Sequence, residues 1–239
     1  MGADTLDVTV CLIAGHLLGD FLLQSDRMVR DKRTAGFFTL HLLTVTGITY
    51  LVCGLWFNWR IAVGVLLTHL VLDGLKTLSG KDGPAVFLAD QGLHLASLAI
   101  IGGFWIYPAE VPFWQTLLPF YVRGVLLLAG GILCVRVGTF WVGKAVAPFQ
   151  SAVGINSQGL PNAGRLIGQL ERALIFLFVL MGETQGVGFL VAAKSILRIG
   201  EVRAPEQRKE AEYIIIGTLM SFGWALLVAY ATKILFDRL

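Results

Sequence analysis

The chain has 239 residues, of which 56% are hydrophobic and only 15% are charged, and its mean hydropathy is +0.73. A soluble globular protein carries about 25% charged residues, so this composition excludes an ordinary cytoplasmic enzyme, a secreted scaffold and a disordered regulator. The formal net charge of +3 follows from membrane topology, as shown below, and we expect no nucleic-acid partner. The sequence predicts an all-α, polytopic membrane protein surrounded by lipid.

Apolar segments long enough to cross a bilayer, which takes roughly 20 residues, predict seven to eight transmembrane helices. In chain order they lie at 6–24, 37–57, 60–79, 86–107, 120–142, 166–182, 187–199 and 213–235. The stretch 143–164 contains Pro148 and Pro161 and is either re-entrant or lies along the interface. We divide the chain into a membrane domain at 1–125 and C-terminal helices at 126–239, which serve packing and assembly or form a substrate lid.

The distribution of Lys and Arg predicts the orientation, because these residues collect on the cytoplasmic side of membrane proteins. The segments after the first, third, fifth and seventh spans contain most of the 19 basic residues. The opposite side has Arg60, Arg123, Lys233 and Arg238. This asymmetry predicts that the N- and C-termini both face the outer side of the membrane.

All four histidines fall inside the first four apolar segments, although ionisable groups are costly in hydrocarbon and mark functional sites by default. Three of them lie four residues from an aspartate, in the pairs His16 and Asp20, His69 and Asp73, and Asp90 and His94. Residues at i and i+4 share one face of a helix. Each pair therefore points an imidazole and a carboxylate in the same direction, and His41 adds a fourth imidazole from the second segment.

In the predicted topology these side chains lie at one depth, near the cytoplasmic leaflet, and their convergence predicts a bound metal. Imidazole and carboxylate groups suit zinc or another divalent transition metal. The predicted ligands are His16, Asp20, His41, His69, Asp73, Asp90 and His94. They suit either one zinc with acid and base groups beside it or two bridged metals. A proton or ion relay and a structural polar network are the alternatives.

The same groups suggest a hydrolytic chemistry. A metal ion supplies a water that ionises near neutral pH, and a neighbouring carboxylate acts as a general base. We therefore expect catalytic roles for Asp20, Asp73, Asp90 and Lys76. The candidate substrate contacts are Gln24, Gln91, Glu171, Arg172, Lys194 and Arg198. The charged members of the second half form either ion pairs between helices or a lid with an anion site.

Several strings of residues resemble the bacterial integral membrane family DUF3307, over roughly the first half of the chain. They are HLLGDFLLQSDRM at 16–28, His41, HLVLDGLK at 69–76 and DQGLH at 90–94, and GRLIGQLER and AAKSILR look like the extension often found with that domain. The resemblance implies an α-helical membrane protein with HxxxD and DQxxH motifs. The His/Asp pattern is also similar to that of zinc-dependent membrane hydrolases related to alkaline ceramidases, although their HxxxH pair is absent here.

Three functions are compatible with these features. The leading hypothesis is a membrane-embedded, metal-dependent hydrolase that acts on a lipid or amphiphile at the cytoplasmic leaflet. The alternative is a transporter or channel that uses the same His/Asp cluster for a metal ion or protons. A further alternative is a membrane subunit whose charged C-terminal helices dock a partner protein. The candidate partners are a lipid-like substrate and a second copy of the chain.

Overall fold

The computed structural model describes residues 5–25, 27–28, 34–104, 111–117, 120–153, 162–199 and 205–239. In these ranges all the regular structure is helical, which confirms the all-α prediction. The chain separates into two compact units, Met1–Ile132 with Leu239 and Leu133–Arg238. The sequence-based division at 125/126 therefore lies close to a boundary that falls inside a helix, and the roles assigned to the two parts stay predictions.

The helices of the first unit alternate with short connections. They are α1 Thr5–Phe21, α2 Ala35–Cys53, α3 Trp59–Ser79, α4 Pro84–Phe104, the short α5 Phe113–Leu117 and α6 Tyr121–Ile132. The residues that follow α2 and α3 are Gly54, with φ +73°, and Gly80, with φ +60°. Glycine adopts this left-handed conformation without the steric penalty of a Cβ, so both helices end where the sequence supplies one.

Helix α1 is the centre of the first unit, because it packs against α2, α4 and α6. Val8, Cys11 and Leu12 on this helix are fully buried, and the surrounding core includes Ile61 and Trp114. Trp114 also donates a hydrogen bond from Nε1 to the Cys53 carbonyl at 2.9 Å, which ties α5 to the end of α2. The apolar character of α1 therefore serves protein packing on most of its surface.

Two glycines let α1 and α2 approach backbone to backbone. A Cβ at Gly15 would lie 2.5 Å from the Thr49 Cα, and a Cβ at Gly19 would lie 2.9 Å from the Val45 Cα. Small residues four apart commonly allow this close packing between membrane helices. Since His16 and Asp20 directly follow these glycines in the sequence, the contact also fixes where their side chains lie relative to α2.

The second unit begins with a π-helical turn at Leu133–Val137, which continues α6 into α7 Gly138–Val153. It also contains α8 Ala163–Met181, α9 Thr184–Ile199 and α10 Pro205–Arg238. Side chains bind the carbonyls of the π turn: Trp224 Nε1 donates to the Leu133 carbonyl at 3.0 Å, and Arg172 Nη2 donates to the Val135 carbonyl at 3.2 Å. A wide turn of this kind leaves carbonyls accessible, and these bonds satisfy them.

Five described helical segments are long and apolar enough to cross a membrane, which supports an integral membrane protein. They are Ala35–Cys53, Trp59–Ser79, Pro84–Phe104, Tyr121–Ser151 and Lys209–Arg238. The predicted count of seven to eight spans is not confirmed.

The other predicted spans form helices that are shorter than these five segments or that carry more charged residues. Helices α1 and α9 have only 17 and 16 residues, and α8 contains Arg165, Glu171 and Arg172. The predicted interfacial stretch 143–164 begins inside α7, with Pro148 within the helix, and its residues 154–161 lie outside the described ranges.

Replacing Gly15 by alanine tests the close contact between α1 and α2. The added Cβ meets backbone at 2.5 Å, so the helices must separate, and overpacking of this kind costs about 1–3 kcal/mol. We expect a lower unfolding midpoint for Gly15→Ala in detergent, measured by circular dichroism on heating. Gly47→Ala is the matched control on α2, because a Cβ there has no neighbour within 4 Å. Equal midpoints for the two variants would contradict the contact.

Candidate metal centre

The predicted metal ligands come from four helices in the first unit, and one ligand on each helix lies near a helix end. Asp20 lies one residue before the end of α1 at Phe21, and His41 follows the start of α2 at Ala35. Asp73 lies near the end of α3, and Asp90 near the start of α4. With a rise of 1.5 Å per residue, each of these four lies within about 10 Å of its helix end. Because successive helices run in opposite directions, all four ends meet at one end of the bundle.

The four imidazoles form a buried cluster around His69. Its ring centroid lies 5.3 Å from that of His16, 5.2 Å from that of His41 and 4.5 Å from that of His94. The rings of His16 and His94 lie 5.1 Å apart and are nearly parallel. Each histidine is at most 2% exposed. The structure thus brings together side chains that come from four separate helices.

Four donor atoms form the tightest part of this cluster. His41 Nε2 lies 2.8 Å from Asp73 Oδ2, 3.1 Å from His69 Nε2 and 3.3 Å from Asp20 Oδ1. His69 Nε2 lies 3.3 Å from Asp73 Oδ2 and 3.6 Å from Asp20 Oδ1. Each imidazole nitrogen carries at most one hydrogen, so two hydrogens must serve all these contacts. Ligands around a tetrahedral zinc lie about 3.3–3.6 Å apart. Three of these five distances fall in that range, and the two shortest, at 2.8 and 3.1 Å, are hydrogen-bond distances, so the cluster is compatible with a bound divalent cation.

Several buried nitrogen and oxygen atoms of the cluster have no hydrogen-bond partner among the described residues. They are His16 Nε2, Asp20 Oδ1, His41 Nδ1 and His94 Nε2. A buried polar atom without a partner costs about 1–3 kcal/mol. His94 Nδ1 lies 2.8 Å from the Asp90 carbonyl, so this nitrogen carries the hydrogen and Nε2 presents its lone pair. A cation in the cluster would offset part of this cost.

Asp90 connects the cluster to its surroundings through Lys76. The Lys76 ammonium lies 2.5 Å from Asp90 Oδ2, and Gln91 Nε2 donates to the same oxygen at 3.1 Å. The Asp90 side chain is 6% exposed, whereas that of Lys76 is 33% exposed. Lys76 therefore lies at the edge of the site. Gln24 lies just beyond the end of α1 and is half-buried.

The i, i+4 spacing in the sequence identifies these residues, but it does not predict which of them contact one another. The pairs at i and i+4 are separated by 3.8 Å for His16 and Asp20 and by 3.7 Å for His94 and Asp90. The shortest His–Asp contact instead joins His41 on α2 to Asp73 on α3. No sequence spacing links residues on different helices, so this pairing and the Lys76–Asp90 pair carry no signal in the sequence.

Three of the candidate contacts in the second unit bind other groups of that unit. Lys194 Nζ lies 2.8 Å from Glu171 Oε2. Arg172 is 3% exposed and donates to Ser221 Oγ at 2.8 Å and to Thr139 Oγ1 at 2.5 Å. These contacts hold the helices of that unit together, and a substrate role for the three residues stays a prediction. The Arg198 side chain lies outside the described part of the chain.

The comparison with known families agrees with the resemblance in the sequence. Residues 8–117 match the family described as "Protein of unknown function (DUF3307)". This part of the chain is similar to the DUF3307 family. The matched DUF3307 segment contains all four histidines and the three clustered aspartates. No curated protein and no solved structure matches the chain. Because the family's description names no reaction, the geometry of the cluster carries the functional argument.

Zinc should stabilise the protein if the four donor atoms bind it. A ligand at 100 times its Kd adds about 2.7 kcal/mol to the free energy of unfolding. We expect chelator-treated protein to show a higher unfolding midpoint after zinc is added, and Asp73→Asn to lose most of this shift, because the amide removes a charged ligand.

Asp237→Asn is the control for the zinc titration. Asp237 is an exposed carboxylate whose nearest recorded ion pair is with Lys233 at 4.0 Å. It should keep the full shift. A shift that is equal in wild type and both variants would indicate nonspecific zinc binding.

Proposed function

We propose that the DUF3307 segment is a metal-dependent membrane hydrolase that acts on a lipid or an amphiphile. The observation that carries the proposal is that Nε2 of His41 and Nε2 of His69 lie 2.8–3.6 Å from each other and from carboxylate oxygens of Asp20 and Asp73, inside an apolar bundle. Two imidazoles and carboxylate oxygen are common ligands of catalytic zinc. Zinc is the expected cofactor, and another divalent transition metal is the alternative.

The roles within the site follow from the contacts of each carboxylate. Bound zinc supplies a water that ionises near neutral pH. A catalytic zinc keeps one position open and uses three protein ligands, so we assign His41, His69 and Asp73 as the ligands. Asp20 is the general base, because its Oδ1 has no hydrogen-bond partner among the described residues and its side chain is the more exposed of the two, at 10% against 3% for Asp73.

Lys76 would hold the polar part of the substrate. Its ammonium lies at the edge of the site, where a positive charge stabilises negative charge that develops during hydrolysis. Leu75 and Leu78 beside it are 61% and 86% exposed. A charged group flanked by exposed apolar side chains suits an amphiphile, whose headgroup reaches Lys76 while its chain stays in the lipid.

The positions of the basic residues support a location of the site at the cytoplasmic leaflet. The sequence between α1 and α2 contains Arg27, Arg30, Lys32 and Arg33, while Lys76 lies in the last turn of α3 and Lys81 follows that helix. The connection between α2 and α3, at the opposite end of the bundle from the cluster, has no Lys or Arg before Arg60. By the positive-inside rule, the cluster faces the cytoplasm of a bacterial inner membrane, and both termini lie on the outer side.

A transporter or channel is the second candidate, and one observation favours it. His41, His69, Asp20 and Asp73 offer four ligand groups, which would be enough to hold a zinc ion without any water, as in sites that hold an ion rather than activate a nucleophile. A metal ion passing through the bundle would use such a set, and a proton relay would use the same imidazoles and carboxylates. The two functions differ in whether a covalent bond in the lipid is broken.

Turnover and transport can be separated in one preparation. We expect zinc-loaded protein, reconstituted in vesicles of bacterial lipids, to release water-soluble headgroups or free fatty acids, detected by mass spectrometry. Asp20→Asn should lower the rate at least about 100-fold, the lower range for loss of a general base, while it keeps its zinc. Gly47→Ala is the control, because it adds only a Cβ in open space.

The outcomes of this experiment distinguish the candidates. Unchanged lipids together with zinc uptake into the vesicles would replace the hydrolase with the transporter. Absence of both would leave the membrane subunit as the remaining function.

The orientation is testable at the two ends of α10. Cys11, Cys53 and Cys134 are buried, so a cysteine introduced at an exposed position is the accessible one. We expect a membrane-impermeant maleimide to label Arg238→Cys in intact spheroplasts and to label Lys209→Cys only after the membrane is opened. The reverse pattern would place the C-terminus in the cytoplasm.

A further inference from the structure

The His/Asp cluster contains three overlapping groups of ligand atoms. In each group the ligand atoms lie within 4.8 Å of one another, and the groups are His16, Asp20 and His69; His41, His69 and Asp73; and Asp73, Asp90 and His94. The first two share His69, and the last two share Asp73. The chemistry of the shared side chain decides which groups can hold ions at the same time.

An imidazole nitrogen has one lone pair, so a neutral His69 gives Nε2 to a single ion. The first two groups are therefore alternative ligand sets for one ion. A carboxylate has two oxygens with several lone pairs and can bind one ion through each. The groups that meet at Asp73 can therefore be filled together, as in enzymes whose paired metals lie about 3.5–4 Å apart.

We propose that the cluster binds two divalent metal ions bridged by Asp73. The first ion takes His41, His69 and Asp73, and the second takes Asp73, Asp90 and His94. This inference rests on the proposed function for the first ion and extends the same site.

The His94 side chain is the independent observation that points to a second ion. It is 2% exposed, and its Nε2 has no hydrogen-bond partner among the described residues. Its Nδ1 bonds the Asp90 carbonyl at 2.8 Å, which fixes the tautomer in which Nε2 is a ligand rather than a donor. The first ion does not use His94. Its buried Nε2, which carries no hydrogen in this tautomer, is therefore available as a ligand for a second ion.

Lys76 occupies the place of the second ion on Asp90. Its ammonium binds Asp90 Oδ2 at 2.5 Å and so supplies positive charge where the second cation would lie. Since the side chain is 33% exposed, Lys76 can turn outward when the ion binds. It then becomes free to bind the substrate headgroup, which links occupancy of the second position to substrate binding.

Metal stoichiometry tests the proposal directly. Detergent-purified full-length protein, stripped by chelator and then dialysed against excess Zn²⁺, should contain two zinc ions per chain by mass spectrometry. His94→Ala and Asp90→Asn should each contain one, because the first group is untouched. Lys76→Met should contain two and should bind the second about tenfold more tightly in a competition titration, since the competing ammonium is removed.

A spectroscopic measurement on wild-type protein avoids any loss of folding in the variants. Two Mn²⁺ ions that share a carboxylate are close enough to couple, so the electron paramagnetic resonance signal at two equivalents should be much weaker than twice the signal at one. An uncoupled signal that grows in proportion to added Mn²⁺ would overturn the bridge.

One zinc per chain in wild type would overturn the two-ion site, even if lipid turnover stays intact and the proposed hydrolase survives. Two coupled ions without turnover or transport would support the two-ion site and remove the hydrolase. A chain that binds no zinc would overturn both.

Discussion

The first unit depends on one constraint, which is that polar atoms buried in an apolar bundle need partners. Four imidazoles are at most 2% exposed, and they share the space with three carboxylates. Hydrogen bonds satisfy only some of these groups, because Nε2 of His16, Nε2 of His94 and Oδ1 of Asp20 lack partners among the described residues. A cation is the one species that many lone pairs can contact at once. The metal is thus inferred from the lack of hydrogens and from the close spacing.

The packing of α1 brings this cluster together. Gly15 and Gly19 allow α1 to touch the α2 backbone, and the residues that follow them, His16 and Asp20, reach His41 and His69 as a result. The glycines that allow close packing and the candidate ligands therefore alternate within six residues of sequence, 15–20. The same central position explains why a 17-residue helix is so apolar: it is covered largely by protein, and its hydrophobicity is not a reliable measure of membrane crossing.

The predicted count of seven to eight spans is not confirmed, for this reason and for a second one. Hydropathy shows that a residue avoids water, but it does not show whether lipid or protein surrounds the residue. In the second unit, α8 contains Arg172 at 3% exposure, where Ser221 and Thr139 accept hydrogen bonds from two nitrogens of the guanidinium. By composition, this charge counts against a membrane span. The folded chain accommodates it through neutral hydrogen-bond partners that lie far away in the sequence. Helix α3 matches its predicted span closely, at Trp59–Ser79 against 60–79, because Gly80 ends the helix where the apolar segment ends.

The sequence by itself determined the helical class, the membrane character and the identity of the clustered residues, because each rests on local chemistry. Composition sets the surroundings, and the i, i+4 period sets which side of a helix carries His69 and Asp73. Only the tertiary structure decided that His41 meets Asp73 at 2.8 Å, that Lys76 binds Asp90, and that Asp73 belongs to two ligand groups. Those contacts join different helices, and their geometry depends on how closely the backbones approach and how each helix is rotated, which no spacing within one helix records.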